Sequence, residues 1–219
     1  MRYLVGIDEA GRGALAGPVC VGAVLVPLDF DWKEVFRLIT KKRRRPKLRD
    51  SKQLTAQQRD ILYEYIIAHG RLRHAAALVS AEVIDAIGIV NAAHEAAAIA
   101  LRELRATPLR AQVLLDAGLK VPSQWEQESF IRGDETVPCI SLASIVAKVT
   151  RDRFMESLAE RYGAYNFGQH KGYGTLYHRK RIVEHGLSDI HRTTFCTRLF
   201  GVEPDAEVTA ALTSEGITA

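Results

Sequence analysis

Apolar residues fall into short unbroken runs near the start of this chain and into helical spacings further on, with glycine and proline at the boundaries. Tyr3-Leu4-Val5 and Ile7 form a run of strand length that ends at Asp8-Glu9. A second run, Val19 to Val26, is rich in β-branched residues and lies between Gly17-Pro18 and Pro27. The pair predicts two strands joined by a glycine-rich turn. Thr55 is placed to cap a helix to Ala68, with Leu62, Tyr65 and Ile66 at helical spacing and Gly70 as its stop. A strand is expected from about Leu72 to Val79. After it come a short helix capped by Ser80 and a longer alanine-rich helix capped by Asn91, ending near Arg105 ahead of Pro108. Ala111 to Leu115 reads as a strand, Ser141 to about Tyr162 as a helix ended by Gly163, and about Leu176 to Glu184 as a helix stopped by Gly186.

The polar residues that interrupt this pattern gather at strand ends. Asp8-Glu9 precedes Gly11-Arg12-Gly13, and Val113-Leu114-Leu115 delivers Asp116 just before Gly118. One acidic pair before a glycine is an ordinary strand-to-turn boundary, and a single Gly-x-Gly lacks the third glycine of a dinucleotide fingerprint. Two strands finishing in acids is a stronger signal, because ligands of α/β sheets collect at the carboxyl ends of strands. Asp134, in Arg132-Gly133-Asp134-Glu135, adds a fourth carboxylate. Asp8, Glu9, Asp116 and Asp134 together offer the hard oxygen ligands that two Mg²⁺ or Mn²⁺ ions about 3.5–4 Å apart require for phosphoryl transfer.

Candidate phosphate contacts are Arg12, Lys52 in Asp50-Ser51-Lys52-Gln53-Leu54, and the pair Ser144 and Lys148. The last two are four apart on a helix face and read as close to its N-terminus, where the dipole favours an anion. Lys148, Arg151 and Arg153 otherwise read as the wet side of that helix, and Asp152 as an ion-pair partner. The loop Gly168-Gln169-His170-Lys171-Gly172-Tyr173-Gly174-Thr175 combines basic groups with an aromatic ring suited to stacking on a sugar or base. A half-buried core tyrosine is the plainer account of Tyr173, and His170 alone is a weak metal ligand.

Composition narrows the setting. With 47% hydrophobic and 26% charged residues in 219, the chain is that of an ordinary globular protein, one main domain with a small appendage. No apolar run approaches the roughly 18 residues of a spanning helix, and the N-terminus lacks the order of a secretion signal, so a cytoplasmic protein is expected. Cys20, Cys139 and Cys196 lie far apart, which indicates neither a zinc site nor a disulfide framework. The net charge of +4 is clustered: Lys41-Lys42-Arg43-Arg44-Arg45-Pro46-Lys47 holds six basic side chains in seven positions, favouring a polyanionic partner. Residues 202–219 hold Glu203, Asp205, Glu207 and Glu215 and no basic residue, and read as a flexible acidic tail.

Taken in order, GIDEAGRG, DSKQL, LLDAG, RGDETVP, SLASIVAKVTRDR and FGQHKGYGT resemble the bacterial ribonuclease HII family, from about Leu4 to Phe200. Ala14 stands where the family often has proline, Leu142 where alanine is usual and Ala117 where glycine is common; none removes a charge. The resemblance implies a ribonuclease H-like α/β fold, a central mixed sheet flanked by helices, within a catalytic domain spanning residues 1–200. A small helical C-terminal part from about residue 163 would help clamp the duplex. It implies a metal-dependent endonuclease that cleaves the RNA strand of RNA–DNA hybrids and incises duplex DNA 5′ of a single ribonucleotide, leaving 3′-hydroxyl and 5′-phosphate ends. By the same resemblance Asp8, Glu9, Asp116 and Asp134 match the metal-binding acids. Gly11, Arg12 and Gly13 match the loop that reads the ribose 2′-hydroxyl, Tyr173 the ring at the junction, and Lys52, Ser144 and Lys148 the phosphate contacts. A monomer without membrane attachment is expected. The rivals are a DNA nuclease of the same carboxylate–metal class, such as a junction-resolving or transposase-like enzyme, and a duplex-binding module with vestigial acids.

Overall fold

A computed structural model of the chain describes residues 2–39 and 54–200, the side chains of residues 39 and 198–200 aside. Lys52, the basic segment at 41–47 and the tail from 201 lie outside the described residues. Five strands form one sheet in the order β3-β2-β1-β4-β5: β1 Tyr3–Ala10, β2 Val19–Pro27, β3 Arg73–Val79, β4 Ala111–Asp116 and β5 Gln127–Phe130. β2 runs antiparallel to β1 and β3, whereas β4 is parallel to β1 and β5. The sheet is therefore mixed, as the resemblance implies.

Each face of the sheet carries one principal helix, and small residues decide how closely each approaches. α4 (Ile89–Glu103) covers one face with Ala92, Ala93, Ala96, Ala97 and Ala100, all buried, against Val5, Ile7, Val21 and Ala77. α6 (Pro138–Ser157) covers the other with Ile140, Ala143 and Ile145. Gly6 and Gly22 permit that approach. A Cβ on Gly6 would stand 2.1 Å from the Cys139 carbonyl, and one on Gly22 2.3 Å from the Ala143 oxygen.

The remaining helices frame these layers. α1 (Trp32–Ile39) and α2 (Ala56–Ala68) lie on the α6 side; α2 opens with a capping box in which the Thr55 hydroxyl accepts from Gln58 N–H and the Gln58 side chain accepts from Thr55 N–H. α3 (Ala81–Ile87) is capped by Ser80 as predicted. α5 (Gly133–Thr136) precedes α6, and α7 (Phe167–His170), α8 (Leu176–His185) and α9 (Thr193–Phe200) make the C-terminal part. This part has its own apolar cluster, in which Tyr165, Phe167, Ile182 and Cys196 pack on Met155 of α6 and on Ala16. The three cysteines are buried and unbridged.

Two helices are bounded differently from the sequence reading. Asn91 does not cap α4; the helix begins at Ile89 after Gly88, and the Asn91 side chain donates back to the Ile87 carbonyl at 2.8 Å. α6 begins at Pro138, whose missing N–H is harmless in a first turn, and ends at Ser157, short of Tyr162. Ser144 and Lys148 consequently sit about two and three turns into the helix, where the dipole argument for an anion no longer applies.

Candidate active site

Pairing between β1 and β4 ends at Ile7↔Leu115, and the next residue on each strand is an acid, Asp8 and Asp116. Strand alternation turns both toward α6 and sends Glu9 to the opposite face. The longer Glu9 side chain still reaches the same place at the open end of the sheet. One oxygen from each of Asp8, Glu9 and Asp116 lies within 4.8 Å of the other two.

The acids are held by backbone and helix. Asp8, 5% exposed, accepts from the Glu9 N–H at 2.7 Å and is hydrogen-bonded by the Ser144 side chain of α6. Asp116 Oδ1 accepts from the Gly133 N–H at 2.7 Å. Glu9 Oε1 pairs with Arg12 Nη1 at 3.0 Å, while Glu9 Oε2 is buried with no hydrogen-bond partner among the described residues. Burial, and then the charges of Glu9 and Asp116, push the Asp8 carboxyl well above its usual range. Burial raises Glu9 as well, against the pull of Arg12. A divalent cation would relieve both the mutual repulsion and the orphaned oxygen, so the donor set fits the ions the sequence predicts. Asp134 is buried in α5 but stands outside this three-acid group; its neighbour Gly133 supplies the N–H that orients Asp116.

Beside the acids lies a cleft of about 410 Å³ lined by residues 9–13, Ser144, Lys148 and Tyr173. The structure thus brings together Glu9, Gly11, Arg12, Gly13, Ser144, Lys148 and Tyr173, which sequence reasoning selected from three separate motifs. Lys148 Nζ donates to Asp152 at 2.9 Å and lies 5.6 Å from the centre of the Tyr173 ring. Asp152 is therefore an ion-pair acid, with Lys148 as its partner instead of the flanking arginines. Tyr173 is half-buried and joined to Ala14 by an isolated β-bridge, and the Gly172 carbonyl accepts from the N–H groups of Leu15 and Ala16.

Sequence reasoning missed what holds this cleft from behind. Arg151 is not on the wet side of α6: it is fully buried, donating to the carbonyls of Pro18, Lys171 and Ala16 at 2.9, 2.9 and 3.1 Å. Arg153 alone of the three is exposed, pairing with Asp60 and Glu64. Gly11, at φ +86°, lies so close to Arg151 that a Cβ would fall 1.9 Å from Nε. Arg192, also fully buried, donates to the carbonyls of Gly11, Arg12 and Gly17 at 2.8, 2.9 and 3.0 Å. His170 is a buried structural residue, stacked on His178 at 4.2 Å between ring centres. No local pattern in the sequence announces a buried arginine.

A family model described as ribonuclease HII matches residues 5–198. The ribonuclease HII of Bacillus cereus (strain Q1) is 43% identical over 195 residues, covering 89% of this chain and 69% of the relative. Among solved structures, ribonuclease H2 from Pyrococcus horikoshii OT3 aligns with a TM-score of 0.68 at 29% identity, over 90% of this chain and 96% of that one. The structure of the PCNA:RNase HII complex from Archaeoglobus fulgidus aligns with a TM-score of 0.67 at 26% identity, over 87% and 94%.

Proposed function

Since the chain belongs to the ribonuclease HII family, metal-dependent hydrolytic endonucleases acting on RNA–DNA hybrids, we propose that it also incises duplex DNA 5′ of a single embedded ribonucleotide. The products would carry 3′-hydroxyl and 5′-phosphate ends. The observation that carries this reading is the adjacency of the Asp8, Glu9 and Asp116 group to a cleft walled by Gly11-Arg12-Gly13 and Tyr173.

Asp8, Glu9 and Asp116 would hold two divalent ions, Mn²⁺ or Mg²⁺, with Asp134 completing the set from α5. Bound there, the ions would supply an activated water and charge stabilisation at the scissile phosphate. The chain's own residues orient the substrate. A 2′-hydroxyl is the sole chemical difference between a ribonucleotide and its neighbours, so backbone N–H groups at the glycine turn and a fixed ring at Tyr173 suffice without reading a base. Arg12 pairs with Glu9 Oε1 at 3.0 Å and offsets part of its charge. Lys148 and Ser144 border the cleft where the backbone would run, and Lys52 is assigned as a phosphate contact on the resemblance alone. Action as a monomer belongs to the same reading. A DNA nuclease of the same class would have no use for the glycine turn and ring, and a binding module would have replaced acids that repel phosphate.

Mapping the product ends tests this. A duplex with one ribonucleotide, labelled at each end in turn, should yield a single cut on its 5′ side with a 3′-hydroxyl upstream. A cut on the 3′ side, or a 2′,3′-cyclic end, would refute the reading.

A further inference from the structure

Behind the cleft, two consecutive residues of the C-terminal part reach two different walls of it. Arg192 uses all three faces of its guanidinium on main-chain carbonyls: Gly11 at 2.8 Å, Arg12 at 2.9 Å and Gly17 at 3.0 Å. In a trans peptide the C=O of one residue and the N–H of the next point in opposite directions. Pulling the Gly11 and Arg12 carbonyls back onto Arg192 therefore turns the Arg12 and Gly13 N–H groups away from it. Neither N–H meets a protein acceptor among the described residues, and both residues line the cleft.

His191 reaches the other wall through a second histidine. Its Nδ1 accepts the Ser188 N–H at 2.9 Å, so its proton is on Nε2, which stands 3.0 Å from His178 Nε2. His178 Nε2 must accept that proton's hydrogen bond, which leaves its own proton on Nδ1, donated to the Tyr173 carbonyl at 2.9 Å. Both rings are buried, at 3% and 0% exposure. The chain Ser188, His191, His178, Tyr173 thus has one proton per ring and a single direction. Burial pushes both imidazoles down to about 4, in keeping with two neutral rings. The groups facing them are His170, stacked on His178, Asp189 beside His191, Tyr165 and Phe167; Lys171 bears on His170.

We propose that His191-Arg192 is a positioning element for ribonucleotide recognition, Arg192 aiming the amides of the Gly11-Arg12-Gly13 turn and His191, through His178, fixing the backbone that carries Tyr173. The inference rests on the reading of that turn and ring given under Proposed function. Neither residue lines the cleft, so both act through others. Removing one should impair discrimination at the ribose while leaving the carboxylates and their ions unaffected.

The test compares kcat/KM on a duplex with one ribonucleotide against a long RNA–DNA hybrid, with Mg²⁺ dependence measured alongside. Arg192→Lys keeps a charge but cannot span three carbonyls, and His178→Leu removes the relay. Each should lose about tenfold more on the single-ribonucleotide duplex than on the hybrid, with an unchanged metal midpoint. His178→Asn, whose side-chain NH₂ can replace the Nδ1 donor, should recover most of the loss. Equal losses on both substrates in folded variants, or an Asn variant no better than Leu, would overturn the proposal. Tyr173→Ala, run in parallel, separates the two readings: a selective loss there with none in His178→Leu sinks the relay alone. Equal losses for Tyr173→Ala sink the reading of the ring and the relay with it, and leave the Arg192 arm to its own substrate ratio. Should the variants fail to fold, ¹⁵N shifts of the wild-type histidines decide. Protons on His191 Nε2 and His178 Nδ1 are expected, and the opposite tautomers would refute the relay.

Discussion

At the scale of single residues, the acids explain both chemistry and instability. Asp8 is buried, hydrogen-bonded and raised well above the ordinary carboxylate range by burial and by Glu9. A group whose folded pKa is raised in this way destabilises the fold when ionised at neutral pH, unless a cation compensates it. Asp8→Asn should therefore abolish cleavage while duplex binding persists. In EDTA at pH 7.5 it should melt higher than the wild type, by roughly 2–4 °C for each kcal/mol of repulsion relieved. Scanning calorimetry of both proteins checks the sign; a lower melting temperature would mean Asp8 is a structural acid. These acids were legible in the sequence because each ends an apolar strand run, a local signal. Arg151 and Arg192 were not, because a basic residue buried on main-chain carbonyls looks like any surface arginine until the loop it holds has folded around it.

At the scale of elements, the strand–turn–strand unit of β1 and β2 was readable from β-branched runs and glycines, and α2, α3 and α8 from their caps. β5 was not: Gln127-Glu128-Ser129 is exposed at the sheet edge and carries no apolar alternation. α6 was placed too late because Pro138 reads as a breaker although it opens the helix. The closeness of α6 to the sheet matters for function, since it brings Ser144 to Asp8. Gly22→Ala would set a methyl 2.3 Å from the Ala143 oxygen and 2.6 Å from Ala147 N, backbone atoms that cannot move alone. The variant should lose about 1–3 kcal/mol of stability in urea unfolding and also lose activity, by displacing Ser144. Full activity at wild-type stability would show that α6 is free to shift.

For the whole molecule, the C-terminal part acts as the back wall of the cleft, and its histidines tie its stability to pH. His178 and His191 titrate at about 4 in the fold because they are buried, against about 6.5 for the free side chain. A depressed base contributes stability that is complete above the unfolded value and lost as pH falls toward the folded one. The loss should run from about pH 6.5 to 4, amounting to roughly 2–4 kcal/mol for the pair by pH 5. Melting curves in Mg²⁺ should fall over that window in the wild type and less in His178→Asn; a flat profile would contradict neutral buried rings. The overall architecture was legible because motif order specified it, whereas the coupling of the C-terminal part to the N-terminal loop depends on contacts 175 or more positions apart.

The most direct test of the account is incision of a labelled DNA duplex carrying one ribonucleotide, beside its all-DNA twin, by wild-type protein and Asp8→Asn in Mg²⁺, Mn²⁺ and EDTA. Cutting of the ribonucleotide duplex alone, by the wild type alone and only with metal, is expected. Cutting of the all-DNA twin, cutting in EDTA, or an active Asp8→Asn would contradict it.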